Sequence, residues 1–343
     1  MTKQAKKKNS RPEWLSIVKK YQTPNPWRST WQVLNSLIPF VAIWILMYYS
    51  LQWSYWITLG LAFVNAGFFT RLFIIQHDCG HGSFFKNRKA NDVLGSFLGV
   101  LSMTPYFHWR KLHAKHHATA GDLDFRGFGD IDTVTVEEFK NYTVWERLRY
   151  RFFRHPITLF VIGPTWVFWF AHRVPLKAQK KDKKERASVY WTNVALAAIV
   201  VGMGLWIGFG TFALIHIPIL VIGTTGGVYL FYVQHQFEDT YWRRHENWDY
   251  SRAALEGSTY FRLPKILQWF SGNIGFHHIH HLSPLIPNYM LEKAHKENKL
   301  FQEVETLTLA TSIRTVFLNL WDENLNRLIS FREFYRRYGT AGA

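Results

Sequence analysis

Cysteine is nearly absent from this 343-residue sequence, which contains only Cys79. A single thiol excludes a disulfide within the chain and an iron–sulfur cluster held by four cysteines. The sequence also lacks His-Glu-x-x-His, the motif of zinc peptidases that carry a glutamate base. Any metal chemistry would therefore depend on other ligands, and 16 histidines are available.

Acidic residues are scarce, since 24 Asp and Glu face 41 Lys and Arg and the net charge is +17. Such an excess fits nucleic acid, anionic lipid or an acidic protein partner. Charge is also missing from two long stretches, residues 29–70 and 187–237, which contain no Asp, Glu, Lys or Arg. Because about 20 apolar residues cross a bilayer, these stretches favour a membrane protein over a nucleic-acid-binding one.

Each uncharged stretch is long enough for two helices and predicts a helical hairpin. The expected spans are residues 32–51, 55–75, 188–208 and 212–234. Residues 93–107 and 156–171 are apolar but short and contain proline, so we expect them at the membrane interface. The predicted fold class is an all-α integral membrane protein with four transmembrane helices. Six spans are the alternative, if both short segments cross.

The basic segments predict the orientation in the membrane. Residues 1–28 are polar and basic and lack the apolar core of a cleaved signal peptide. We expect them on the cytoplasmic side, ahead of a single membrane domain over residues 29–343. Each of the two predicted hairpins starts and ends on the cytoplasmic side. Residues 76–186 and 235–343 would therefore form one cytoplasmic helical cap.

Three histidine clusters fall in the predicted cap. His77 and His81 are spaced i, i+4, whereas His113-Ala-Lys-His116-His117 and His277-His278-Ile-His280-His281 both contain i, i+3, i+4 sets. On a helix such sets share one face, while His278 is rotated about 100° from His277.

The number of same-face histidines predicts two metal ions. A zinc site takes about four ligands, so eight imidazoles suggest two ions with about four nitrogens each. Ligand type alone leaves zinc, copper, iron and nickel open. The Glu-x-x-His pairs of soluble di-iron bundles are absent from these clusters.

The order and spacing of the clusters resemble those of the membrane fatty acid desaturases. The motifs that carry the resemblance are His77-Asp-Cys-Gly-His81-Gly-Ser, His113-Ala-Lys-His116-His117-Ala-Thr and Gly272-Asn-Ile-Gly-Phe-His277-His278-Ile-His280-His281. Similar stretches also lie at residues 122–131 and 234–239, and the likeness extends over residues 30–320. The most similar subgroup is that of the bacterial acyl-lipid desaturases, which includes delta-5 and delta-12-like enzymes.

The resemblance implies an enzyme that inserts a cis double bond into the acyl chains of membrane phospholipids, with O2 as co-substrate. It implies two iron ions, with ligand roles that fall on His77, His81, His113, His116, His117, His277, His280 and His281, and on His235 at the end of the last span. It implies no catalytic residue beyond these ligands. The cytochrome b5 heme motif His-Pro-Gly-Gly is missing, so electrons are expected from a ferredoxin-like or other small acidic protein. The implied location is the cell membrane, with the active site on the cytoplasmic side.

Five carboxylates near the clusters are candidates to orient ligand imidazoles: Asp78, Asp122, Asp124, Asp130 and Glu238. Two alternatives stay open for the function. One is hydroxylation or carotenoid oxygenation by the same superfamily. The other is a zinc-binding membrane protein such as a sensor or transporter, although the middle of the predicted spans lacks the ionisable groups typical of transport.

Overall fold

A computed structural model describes residues 12–127, 131–175 and 181–339. The α-helices, in chain order, are α1 (Glu13–Lys19), α2 (Pro26–Ser50), α3 (Tyr55–His81), α4 (Arg88–Leu101), α5 (Tyr106–Thr119), α6 (Val136–Asn141), α7 (Val144–Arg154), α8 (Gly163–Trp169), α9 (Lys183–Ile207), α10 (Phe209–His235), α11 (Tyr250–Glu256), α12 (Lys265–Phe270), α13 (His277–Leu282), α14 (Asn288–Glu297), α15 (Leu309–Thr315) and α16 (Phe331–Tyr338). The strands are β1 (Val134–Thr135), β2 (Tyr260–Arg262), β3 (Thr306–Thr308), β4 (Leu320–Asp322) and β5 (Arg327–Ile329). A π-helical turn covers Thr158–Ile162, and 3₁₀ turns cover Ala171–Arg173, His245–Asn247 and Lys299–Phe301.

Four helices are long and apolar enough to cross a membrane, which confirms the predicted fold class. Helices α2, α3, α9 and α10 contain 25 to 27 residues each. At 1.5 Å per residue they are about 37 to 40 Å long, more than the hydrocarbon core of about 30 Å. Over the described ranges no other helix qualifies, since α4 has 14 residues and α8 has seven. The six-span alternative therefore fails on length, whereas the interfacial placement of residues 93–107 and 156–171 stays a prediction.

Polar capping residues set the helix ends, and they move some of these ends beyond the predicted spans. The side chain of Asn25 accepts a hydrogen bond from the backbone N–H of Arg28, so α2 begins at Pro26 rather than near residue 32. The side chain of Asp182 likewise accepts a hydrogen bond from the backbone N–H of Glu185, so α9 begins at Lys183. Apolarity marks only the part of a helix that lies in lipid, and caps extend the helix into the polar region.

Helix α3 occupies the centre of the bundle, between α2 and α10. It buries 44% of its most apolar window, against 11% for α9. Close approach of α3 and α10 depends on Gly223, because a Cβ there would lie 2.5 Å from the ring of Phe69. Small residues permit such contacts between membrane helices. The first histidine cluster therefore lies at the end of the most buried of the four long helices.

A buried cation on α3 connects parts of the bundle and the cap. Arg71 is 6% exposed, and its Nε donates to Ser36 Oγ at 3.0 Å on α2. Its guanidinium also donates to the carbonyl of Trp269 and lies 3.8 Å from the centre of that indole ring. Arg71 thus connects α3 with α2 and with α12 of the cap.

The cap contains short strands as well as helices. Strand β1 pairs in parallel with β4, which pairs antiparallel with β5, and β2 pairs in parallel with β3. Each strand has two or three residues. Of these strands, β2 lies next to the third histidine cluster, since its Tyr260 forms a bridge with Phe276. The sequence analysis did not predict the strands.

Candidate metal centre

The first histidine pair lies on the last turn of α3. His77 and His81 are four residues apart in one continuous helix, and their ring centres are 4.7 Å apart. The helix ends at Gly82, whose φ of 74° is left-handed and whose N–H bonds to the carbonyls of Asp78 and Cys79. Glycine tolerates this conformation, so the chain leaves the helix directly after the second histidine.

The second cluster lies on α5, which follows Pro105. His113, His116 and His117 occupy the last two turns of this helix, as their spacing predicts. Trp109, one turn before His113, stacks on its ring with centres 4.5 Å apart and planes inclined by 16°. This stacking fixes the ring of His113 on the face that points toward α3.

The third cluster forms α13, a helix of six residues. Its approach depends on Gly275, where a Cβ would lie 2.4 Å from the carbonyl oxygen of Phe261. The carbonyl of Gly275 in turn accepts from the N–H of Phe261 at 2.7 Å. These contacts hold the backbone before α13 against β2, and so they fix the position from which the histidines of α13 begin.

The structure brings the clusters together in two groups of buried or half-buried side chains. Within each group the candidate ligand atoms all lie within 4.8 Å of one another. The first group is His77, His81, His113, His117 and His280, and the second is His116, His235 and His281. Residues that are more than 200 positions apart in the chain therefore converge on one small volume.

The two groups adjoin each other. The rings of His117 and His281, one from each group, stack with centres 4.2 Å apart. Nε2 of His117 lies 3.1 Å from Nε2 of both His113 and His280. Two ions held by these groups would therefore be neighbours.

His277 stands slightly apart from both groups. Its Nε2 lies 2.9 Å from Nε2 of His235, which belongs to the second group. The expected division was two sets of about four nitrogens. The structure instead gives five and three, with His277 as the nearest addition to the set of three.

Burial lowers the pKa of several of these imidazoles. His277, His280 and His281 are at most 3% exposed. Burial holds their pKa values well below the usual 6.5. Repulsion from neighbouring histidines lowers these values further, and for His277 the main such neighbour is His235. His117 in α5 has its pKa lowered in the same way. Neutral rings have a nitrogen lone pair available for a metal near pH 7.

Some of the buried nitrogens lack any partner in the described part of the chain. Nε2 of His81 and Nε2 of His281 are inaccessible to solvent and accept or donate no hydrogen bond there. An unsatisfied buried polar atom costs about 1–3 kcal/mol. A bound metal ion would remove this cost, because it would take the lone pairs of the converging nitrogens. Imidazole suits zinc, copper, iron and nickel.

Hydrogen bonds to the outer nitrogens fix the orientation of two rings. Nδ1 of His77 donates to Oδ1 of Asp78 at 3.1 Å, and Nδ1 of His235 donates to the carbonyl of Gly257 at 3.2 Å. With Nδ1 occupied by this hydrogen bond, Nε2 is the nitrogen that each ring offers to the group. Asn288 completes this support, since its N–H and its side-chain amide both donate to Oδ2 of Asp78, at 2.8 and 2.9 Å.

The other candidate carboxylates in the described residues bond to partners outside both groups. Asp122 Oδ2 accepts from Nδ1 of His245, a histidine outside both groups, at 2.7 Å. Asp124 pairs with Arg244, and Glu238 pairs with Arg327. The many cations of the cap compete for these carboxylates. Asp130 lies outside the described residues.

Sequence reasoning missed Asn288 and Trp109. Trp109 lies four residues before His113 on the same helix, so helical spacing could have identified it. No local pattern marks Asn288, because its partner Asp78 is 210 residues away. His278, which the helical rotation separated from its neighbours, does point elsewhere: its Nε2 lies 2.9 Å from the carbonyl of Phe301.

Comparison with known proteins agrees with this geometry. The family model described as "Fatty acid desaturase" matches residues 53–308. A Bacillus subtilis protein named "Fatty acid desaturase" is 46% identical over 91% of this chain and 88% of its own length. The "sn-1 oleoyl-lipid 12-desaturase" of Synechocystis is 30% identical over 79% of this chain and 76% of its own length. The "sn-2 acyl-lipid omega-3 desaturase (ferredoxin), chloroplastic" of Arabidopsis thaliana is 30% identical over 81% of this chain and 63% of its own length.

With four helices able to span a membrane and the histidine groups at one end of them, the chain belongs to the fatty acid desaturase family, whose members are oxidoreductases of lipid metabolism.

Proposed function

We propose that this desaturase uses O2 to form a cis double bond in the acyl chain of a membrane phospholipid, with two irons as its metal ions. The proposed ligands are the histidines of the two groups together with His277: His77, His81, His113, His116, His117, His235, His277, His280 and His281. The observation that carries the proposal is the convergence of their nitrogens at the ends of α3 and α10. Relatives whose names specify acyl-lipid substrates support a lipid-bound chain.

The reaction balances with an external reductant. Two C–H bonds on adjacent methylenes break, and the chain loses two electrons and two protons as the double bond forms. A donor supplies two more electrons, solvent supplies two more protons, and O2 becomes two molecules of water. When bound, the irons would supply the oxidising power for unactivated C–H bonds, which no side chain has.

The protein's own residues orient this chemistry. Asp78 and the Gly257 carbonyl hold the rings of His77 and His235, so that each presents Nε2. Burial of α13 keeps bulk water from the group and keeps the imidazoles unprotonated. The groups lie where α3 and α10 end, so an acyl chain can reach them from the bilayer.

We propose that the electron donor is a small acidic protein of the ferredoxin type. The net charge of +17 favours association with an acidic partner. The name of the Arabidopsis relative, which is 30% identical, includes ferredoxin. The proposed location is the cell membrane, with the histidine groups on the cytoplasmic side, because basic segments adjoin that end of the helices.

The alternatives lack comparable support. The relatives described above are named as desaturases, and none of their names mentions a hydroxylase, a carotenoid oxygenase or a zinc transporter. The product distinguishes desaturation from hydroxylation directly, because the first leaves a double bond in the acyl chain and the second leaves a hydroxyl group.

The test is fatty acid profiling of a host that expresses the chain together with a ferredoxin and its reductase. We expect new cis-unsaturated acyl chains in its phospholipids with the wild type and none with His280→Ala, which removes one member of the first group. His278→Ala is the matched control, because His278 is equally buried in α13 but bonds to Phe301 instead.

Metal analysis of the same three purified proteins completes the test. We expect about two irons per chain in the wild type and in His278→Ala, and fewer in His280→Ala. Hydroxylated lipids, or unchanged lipids in a host with a working donor, would contradict the proposed reaction. Equal metal content in both variants would contradict the proposed ligands.

A further inference from the structure

A groove on the membrane-facing side lies between α4, the start of α5 and α9. It measures about 520 Å³, within the range of about 300–1,000 Å³ for small-molecule sites. Its walls are mostly apolar and include Phe97 on α4 and Trp191 on α9, which are 50% and 72% exposed. Helix α9 is the least buried of the four candidate spans, so the groove opens toward lipid.

The inner end of the groove is closed by Tyr106, the first residue of α5. Its ring is 1% exposed and fits against Gly95, where a Cβ would lie 2.3 Å from the ring. Its hydroxyl donates to the carbonyl of Cys79 at 2.8 Å, between His77 and His81 on α3. The groove therefore ends before it reaches the histidine groups, and a molecule in it would be held apart from the proposed irons.

Basic side chains lie at one end of the groove. Lys184 lines it, with Nζ 4.0 Å from the ring centre of Phe107 and 3.3 Å from Oδ2 of Asp92. Asp92 is shared with Arg110, whose Nη1 lies 2.9 Å from Oδ1. One carboxylate thus faces two cations, and positive charge exceeds negative charge at this point.

The same excess extends over the three segments that meet at the mouth. Residues 86–92, 110–115 and 181–186 contain ten Lys and Arg but only three Asp and Glu. Ion pairs between the segments, Arg110 with Asp92 and Lys111 with Asp182, hold them together. The three segments together carry a net charge of +7, and they contribute Lys184 to a groove with apolar walls.

We propose that this groove binds one anionic phospholipid, with its phosphate beside Lys184 and one acyl chain between α4 and α9. At membrane depth an apolar groove is filled by hydrocarbon, because polar groups there would lose hydrogen bonds to water. At the mouth, basic side chains attract anionic head groups and can extend toward them along the interface. The lipid is bound rather than oxidised, since Tyr106 separates it from the histidines.

The test uses photolabelling of the full-length protein in phosphatidylcholine nanodiscs. A phosphatidylglycerol probe with a diazirine in its acyl chain is added, and the labelled peptides are mapped by mass spectrometry. We expect saturable labelling at Phe97 and Trp191 that unlabelled phosphatidylglycerol displaces and phosphatidylcholine does not. Lys184→Ala should weaken the apparent affinity about fivefold, the factor that one basic side chain near an anionic lipid contributes.

A matched pair of variants tests the groove itself. Ala195→Trp fills the groove and should abolish the saturable labelling, whereas Ala197→Trp, on the exposed side of α9, should leave it unchanged. Equal labelling along α9 up to Trp206, equal affinity for both lipids, or unchanged labelling in Ala195→Trp would overturn the proposal. So would a Lys184→Ala variant that loses affinity for an acidic electron donor but keeps the labelling. The readout needs no turnover, so it is independent of the proposed reaction.

Discussion

Neighbouring histidines in this protein differ in role because of where their rings point. His277 and His278 are adjacent, equally buried residues of α13. His277 contacts the ring nitrogen of His235, whereas His278 contacts the carbonyl of Phe301. A rotation of about 100° per residue separates the two environments. Residue type alone therefore does not define the site, but residue type together with helical phase comes close to it.

The contact between Asp78 and His77 gives a prediction at the residue scale. Asp78→Asn keeps the shape of the side chain but removes the negative charge that accepts from Nδ1 of His77. Partners of this kind typically change metal affinity or activity by about 10- to 100-fold. We expect a loss in this range, measured as iron retained during dialysis and as desaturation in the host.

Asp124→Asn is the control for that change. Asp124 bonds to Arg244 and to the backbone of His245, away from both groups. It should retain the iron content and activity of the wild type. Equal losses in both variants would show that the effect comes from general destabilisation and not from the orientation of His77.

At the scale of elements, α3 and α10 combine two tasks that the sequence suggests separately. Each is long enough to cross the membrane, and each ends in proposed ligands. The predicted spans ended near residues 75 and 234, but α3 continues to His81 without a break. The membrane helix itself therefore positions the first histidine pair, which needs no flexible connection.

Gly275 supports a prediction about α13. Gly275→Ala would place a Cβ 2.4 Å from the carbonyl oxygen of Phe261, and overpacking of this kind costs about 1–3 kcal/mol. Because α13 starts two residues later, we expect the backbone to shift and iron content and activity to fall together. The measurements are metal analysis and thermal unfolding of the purified protein.

Gly226→Ala in α10 is the comparison, since a Cβ there meets nothing within 4 Å. It should leave iron content unchanged, and alanine has the higher helix propensity. If Gly275→Ala behaves like Gly226→Ala, the close approach of residue 275 to β2 does not hold the histidines in place.

Short strands were beyond sequence analysis for a physical reason. Strands β2 and β3 have three residues each and pair across 43 intervening residues. Two or three residues are too few to show an alternating pattern. Their pairing is decided by the neighbours that the cap brings together, and these neighbours are distant in the chain.

For the whole molecule, all three histidine clusters must lie on one side of the membrane. Two hairpins satisfy this condition because each returns the chain to the side from which it started. The prediction uses labelling with a membrane-impermeant maleimide in a Cys79→Ser background, since Cys79 is the only cysteine and is buried. Gln52→Cys, in the turn between α2 and α3, should react in intact cells. Lys293→Cys, exposed on α14 of the cap, should react only after the cells are permeabilised.

The reverse pattern would place the cap outside and contradict the proposed cytoplasmic location. Reaction of both cysteines in intact cells would place the turn and the cap on the same side of the membrane, and would contradict the two-hairpin topology. Desaturation measured with each variant would confirm that the labelled proteins are folded.

The sequence by itself determined the class of the protein, its four long apolar helices and the histidines that share helical faces. These depend on composition and on spacings of a few residues, which local chain geometry converts directly into structure. Only the tertiary structure decided the division of the histidines into five and three, the support of Asp78 by Asn288, and the different partners of Asp122, Asp124 and Glu238. Those features depend on which segments pack together, and packing brings together residues that no local pattern connects.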